Sequence, residues 1–196
     1  MVNQQNVKYL YIHAMQDRWQ AKIDEVSSLF EKTFGSLTEA ELNWKPHPSV
    51  WSIAQNIDHL MVINKTYFPV IRQIRNGSYR LPFHARFGWL VSSFGKIVLK
   101  AVHPDRRKKM KTFPIWEPAQ GNLPGNIVHQ FLLHQIELKA LIQSCQDLVK
   151  NDTVIFSPAN RTIVYKLETA FDIIVTHERR HFEQAKELFR LLPKKA

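Results

Sequence analysis

Cysteine is almost missing from this sequence. Cys145 stands alone among 196 residues, so no internal disulfide and no CxxC metal or redox motif can form. Long apolar runs are missing too, and none approaches the ~20 residues that a helix needs to cross a bilayer. The first residues, MVNQQNVKYLYIHAMQDRW, lack the basic segment and following apolar segment of a secretory leader. Strand signals are sparse. Only Thr153-Val154-Ile155-Phe156 and Thr162-Ile163-Val164-Tyr165 carry them, and both are short and crowded by proline or helical pattern. No fixed-period repeat or low-complexity segment is visible. With 44% hydrophobic and 22% charged residues, these absences exclude a disordered tail, a collagen-like repeat and a disulfide scaffold. The expectation is one globular domain over residues 1–196, in the cytoplasm, with no membrane partner.

The net charge of +10 is not evenly spread. Residues 100–111, KAVHPDRRKKMK, hold six basic side chains against Asp105, a local +5. Such a run is either a solvated loop or a patch that steers an anionic ligand. No DNA- or RNA-reading motif accompanies it, so no nucleic-acid partner is expected.

Helical periodicity dominates what remains. A first helix over about residues 6–34 carries Leu10, Ala14, Trp19, Ile23, Val26 and Phe30 along one face, and Gly35 stops it. A short helix is expected at 39–42. Ser52 caps a second long helix, about 52–76, with Ile53, Ile57, Leu60, Tyr67, Ile71 and Ile74 on its arc. Residues 78–123 form a long crossover with four prolines and an extra helix at 84–100. A third helix starts near Pro124 and runs to about Lys150. A fourth covers about 163–192. The sequence therefore predicts an all-α fold, a four-helix bundle whose long crossover between helices two and three carries an extra helix.

Bundles build their sites from polar residues that interrupt the apolar stripes. His177 and His181 interrupt the fourth helix four residues apart, so both rings leave the same face and can meet one ion. Two buried imidazoles on adjacent turns would otherwise each need a separate partner. His59 lies at the edge of the second helix's arc. Three neutral imidazoles suit zinc, nickel, iron or copper and leave a position open, as in catalytic sites. The segment His177-Glu178-Arg179-Arg180-His181 also spells H-E-x-x-H. A zincin needs a third ligand downstream, and no histidine follows His181.

Three further residues are candidates for the pocket: Gln55 and Asn56, one turn before His59, and His134 on the third stripe. Each also has a plain reading, as cap, surface amide or carbonyl-bonded core histidine. Glu178 is read either as a general base toward a water at the site or as a salt-bridged surface side chain. Trp51 reads as a core anchor, and Cys145 as packing.

The WSIAQNIDHL segment and the late THERRHFEQAKELF segment, in this order, resemble those of the DinB/YfiT superfamily of metal-binding four-helix proteins. The likeness runs over residues 16–192 and includes the long crossover. It implies a divalent-metal site at His59, His177 and His181, with zinc or nickel foremost, and frequent homodimers. It also implies activity as a metal-dependent hydrolase or as a transferase using a low-molecular-weight thiol. The functional expectation is an enzyme acting on a small-molecule substrate. The alternatives are a non-catalytic, stress-associated metal-binding protein and, on the charge alone, a basic nucleic-acid-associated protein.

Overall fold

The computed structural model describes residues 4–105 and 111–193, with side chains from Ala14 onward except Gln16. The fold is mostly helical. Its helices are α1 (Gln4–Phe34), α2 (Glu39–Asn43), α3 (Ile53–Lys65), α4 (Tyr67–Arg75), α5 (Gly88–Ala101), α6 (Ile127–Ser144), α7 (Gln146–Lys150) and α8 (Leu167–Leu191). α1 packs against α6 and α8, and α3 packs against the same two, so four helices close a ring of contacts.

Local chemistry explains most of the boundaries. Thr38 with Glu41, and Ser52 with Gln55, form reciprocal capping boxes that start α2 and α3. The expected second helix, 52–76, divides at Thr66 into α3 and α4. Pro69 is the reason: it has no N–H for the Lys65 carbonyl, and its ring crowds that carbonyl. The expected third helix likewise divides at Cys145 into α6 and α7. There the Arg75 guanidinium donates to the Ser144 carbonyl, which a continuous helix would give to the Leu148 N–H.

The crossover carries a 3-10 turn at Phe83–Arg86, then α5, then a second 3-10 turn at Pro114–Trp116. The extra helix expected at 84–100 is thus present with shifted bounds. α5 lies close to the start of α8. A methyl group on Gly95 would meet Thr169 Cγ2 at 3.1 Å, which is why the smallest residue sits there.

Two sequence expectations are corrected. Residues 154–157 and 160–166 form an antiparallel hairpin, β1 and β2, pairing Ile155 with Tyr165 and Phe156 with Val164. Pro158 occupies the turn between the strands and so interrupts neither. Consequently the last helix begins at Leu167, not at 163. The β-branched Thr162, Ile163 and Val164 take the extended backbone their side chains favour. Ala14, placed on the buried face of the first helix, is exposed, whereas Trp19, Ile23, Val26 and Phe30 are buried. The side chain of Leu10 lies outside the described residues, as do Arg106, Arg107, Lys108, Lys109 and Met110.

The apolar interior falls into two main parts. One gathers around Trp19, Tyr67, Leu138, Phe171 and Ile174. The other gathers around Phe30, whose ring lies 4.7 Å from that of Phe131 and 5.4 Å from that of Phe182. Those contacts tie α1 to α6 and α8. On α3, α6 and α8 the two parts are separated by a polar level, made of Asn64, Gln135 and Glu178. The histidines lie on the helices that supply this level.

Candidate metal centre

His59 comes from α3, and His177 and His181 from α8. The four-residue spacing places the α8 pair on successive turns, with Nε2 atoms 3.0 Å apart. Two nitrogens each about 2.1 Å from one ion, at about 90–110° to each other, would be about 3.0–3.4 Å apart. One ligand atom from each of the three rings lies within 4.8 Å of the others. The cluster is therefore compatible with a divalent metal ion.

Tautomers are set from the far side of two rings. His59 Nδ1 donates to the Trp116 carbonyl at 2.6 Å, which leaves Nε2 with its lone pair. His181 Nδ1 lies 2.8 Å from Asn56 Oδ1, and the amide nitrogen of Asn56 donates to the Ser52 carbonyl at 2.9 Å. That second bond turns the Asn56 oxygen toward His181, so the ring donates from Nδ1 and its Nε2 faces His177. Each is the type of hydrogen bond that orients a metal-ligating imidazole.

Burial favours the uncharged rings. It lowers His59 to about 4, against smaller raising effects of the Trp116 carbonyl and Asp58. Burial also holds His177 and His181 well below the usual 6.5, and the neighbouring histidines and Arg180 act in the same direction. Neutral imidazoles keep their lone pairs for a metal at pH 7. His59 and His181 are buried, and His177 is half-buried.

Trp51 is half-buried and sits over the cluster, its ring 4.7 Å from that of His59 and stacked at 6.1 Å on that of His181. The core-anchor reading is corrected accordingly: Trp51 is a wall of the site. Gln55 accepts from the Ser52 N–H and donates to the Ala119 carbonyl at 3.1 Å. It therefore caps α3 and ties down the crossover, and Asp58 assists by accepting from the Ala119 N–H. Asn56 positions His181.

His134 and Glu178 are placed elsewhere. Among the described residues, the convergent group contains neither. His134 lies toward Phe68, with ring centres 6.1 Å apart, and both its ring nitrogens are buried without a hydrogen-bond partner. A carbonyl-bonded histidine was the plain expectation, and it is not what is found. Burial, with Lys65 nearby, lowers this ring to about 4, so it stays neutral. Glu178 is 0% exposed, which overturns the surface salt bridge. Its carboxylate accepts from Asn64 Nδ2 at 2.8 Å and from Gln135 Nε2 at 3.0 Å. Cys145 is buried as expected, and burial pushes its thiol up to about 11, unsuited to nucleophilic attack.

Sequence reasoning missed the Trp116 carbonyl and the Asn64–Gln135–Glu178 level. A backbone acceptor from a distant crossover leaves no side-chain signal. Asn64 and Gln135 do leave one, as amides breaking buried stripes on two helices.

Three imidazoles turned toward one point from two helices define a helical protein with a histidine-cluster centre. The sequence pattern of the DinB superfamily matches residues 22–185, most of the chain, and the protein belongs to that superfamily. The chain matches no curated protein and no solved structure.

Proposed function

We propose that this protein is a metal-dependent enzyme that transfers a low-molecular-weight thiol to an electrophile or hydrolyses a small substrate. One observation carries the reading: three neutral imidazoles converge, one of them half-buried, and among the described residues no fourth His, Cys, Asp or Glu joins them. The ion of the proposal is zinc or nickel, which when bound supplies a Lewis acid that lowers the pKa of a water or thiol toward neutrality.

The chain's own part is to fix the rings. The Trp116 carbonyl holds His59, Asn56 holds His181, and Trp51 covers the cluster on one side. The thiol comes from solution, because the Cys145 thiol is buried and held protonated. Preference for transfer over hydrolysis rests on the family resemblance. The same proposal treats the ring of four helices as a four-helix bundle forming one domain over residues 1–196. It places the chain in the cytoplasm as a homodimer without a nucleic-acid partner, and sedimentation velocity tests the dimer.

Cobalt substitution tests the reading directly. With a position open to exchange, the visible spectrum should change when azide or millimolar-range thiols are added, and a thiol-conjugation screen should lose its signal with chelator. A cobalt spectrum unmoved by every one of them, with no conjugation, would instead mark a non-catalytic metal-binding protein.

The basic run belongs to the same proposal. The crossover meets the site region on both sides of the run. Arg180 on α8 donates to the Ala101 and His103 carbonyls, and the Trp116 carbonyl accepts from His59. A positive stretch so anchored would raise the local concentration of an anionic thiol. Neutralising Arg106, Arg107, Lys108 and Lys109 together should leave metal content and helicity unchanged. The KM for an anionic thiol should rise severalfold, with the difference shrinking at high salt. Tight, salt-dependent duplex binding that vanishes in this variant would put the nucleic-acid reading first.

A further inference from the structure

The crossover's first half carries a surface that the metal centre does not use. From His59 to Pro104 the chain contains no Asp or Glu, while seven Lys or Arg fall in that span. Within it lie exposed large apolar side chains: Phe83 and Trp89 are each 68% exposed and Ile97 63%, with Leu81 and Phe87 also exposed. α5 is two-faced. Val91 and Gly95 are buried on the side packed against β2 and α8. The opposite stripe, Trp89, Ser92, Ser93, Lys96, Ile97 and Lys100, is exposed at helical spacing. Just before it, Arg86 lies over the Phe83 ring at 4.9 Å, beside a groove of about 370 Å³ lined by Leu81, Pro82, Phe83, Ala85 and Arg86.

We propose that the 81–100 segment, led by the outer face of α5, is a docking surface for an anionic lipid bilayer, on which the protein lies peripherally. No described helix is long and apolar enough to cross a membrane, so the contact is interfacial. The composition is that of an interfacial helix: aromatic and aliphatic side chains on an exposed face, with lysine and arginine alongside and no acidic residue within the segment. Charge selects the occupant. A second copy docking through the same face would bring two cationic surfaces together with no carboxylate in the segment on either side, and like charges oppose that contact. A nucleic acid would use the cations, and Trp89 offers it a stacking face. Leu81 and Ile97 would still gain nothing from a hydrated phosphate backbone. A lipid interface takes both kinds of side chain at once. The expectation of no membrane partner, formed from the absence of a spanning run, does not reach such a contact.

Co-sedimentation of the full-length protein with vesicles tests this. Neutral phosphatidylcholine vesicles should pellet little protein at 0.1 M salt, and vesicles with about a third phosphatidylglycerol should pellet most of it. Each basic residue near an anionic surface contributes about 1 kcal/mol, roughly a fivefold effect. The Lys96→Glu/Lys100→Glu variant should therefore lose at least about tenfold in partitioning. The Trp89→Ser/Ile97→Ser variant should lose a comparable factor, and its remaining binding should be more salt-sensitive. All four side chains are exposed, so an unchanged circular dichroism spectrum and melting temperature checks the fold of each variant. Equal pelleting with neutral and anionic vesicles would overturn the proposal. So would unchanged binding in both variants, or a dimer dissociated by Trp89→Ser/Ile97→Ser without vesicle binding. Single-stranded RNA bound tightly, lost with Trp89→Ser and accompanied by no vesicle binding, would replace the lipid by a nucleic acid.

Discussion

Replacing His177 and His181 together by alanine should abolish retention of a stoichiometric divalent ion. The structure gives α8 two of the three converging imidazoles, with Nε2 atoms 3.0 Å apart. A single ring from α3 would then remain. A tetrahedral structural zinc site is worth roughly 10–16 kcal/mol spread over its ligands. Each imidazole therefore represents roughly 3 kcal/mol, on the order of a hundredfold in affinity. His59→Ala should lose about as much as either single α8 variant. Asn56→Ala should lose less, about ten- to a hundredfold, because it removes only the group that orients His181. Elemental analysis after dialysis and competition with a chromophoric chelator read these differences. Stoichiometric metal in the double variant would remove the centre from this position, and with it the proposed chemistry.

How far the sequence foretold this site follows from how each residue signals. His177 and His181 are legible because a four-residue spacing on one helix fixes their mutual geometry. His59 is legible as a histidine at the edge of its helix's apolar arc, and the family resemblance adds its partnership with the α8 pair, since no local spacing relates α3 to α8. Asn56 could be singled out as a neighbour of His59, but its bond is to His181, across the helix interface. His134 misled because it shares the buried stripe of α6, and burial alone does not say which neighbour a ring faces. Glu178 misled through its place beside His177 in the chain. It lies one residue after His177, so about 100° around the helix, and this turns its carboxylate toward Asn64 and Gln135.

The fold shows the same division. Amphipathic stripes and capping boxes announce the helices, since both are local. The hairpin is hard to read from sequence because two short strands next to a proline look too weak to stand alone, and alone they would be. They are stabilised by tertiary contacts: α5 packs on β2, and the Tyr165 and Tyr67 hydroxyls lie 3.0 Å apart. The break at Thr66 was readable from Pro69, whereas the one at Cys145 depends on Arg75 arriving from another helix.

The polar level between the two apolar parts makes the second large prediction. Burial pushes Glu178 from the usual 4.5 up to about 7, with the Gln135 and Asn64 amides pulling the other way. In the metal-free protein the folded state therefore holds this proton between about pH 4.5 and 7, where the unfolded chain has released it. The contribution of this carboxyl to folding stability then falls as pH rises through that window and stays low above it, by roughly 3 kcal/mol for a shift of this size. Glu178→Gln removes the titration and keeps the shape. The new amide oxygen can accept from Asn64. Its nitrogen can donate to Gln135 Oε1, which is buried without a partner, once the Gln135 amide turns over. This variant should match the wild type near pH 5 and exceed it by about 2–3 kcal/mol at pH 8. Glu178→Leu should do the reverse, losing about 2–5 kcal/mol, because two buried amide donors lose their acceptor. Urea unfolding with chelator present, at pH values from 5 to 8, measures both. The difference between wild type and Glu178→Gln isolates this carboxyl from the histidines, which titrate in both proteins. A difference that stays flat across the range, or a glutamine variant less stable at pH 8, would show that the Glu178 charge is well accommodated. The polar level would then be an anionic fixture beside the three imidazoles, adding a negative charge to the field around a bound cation.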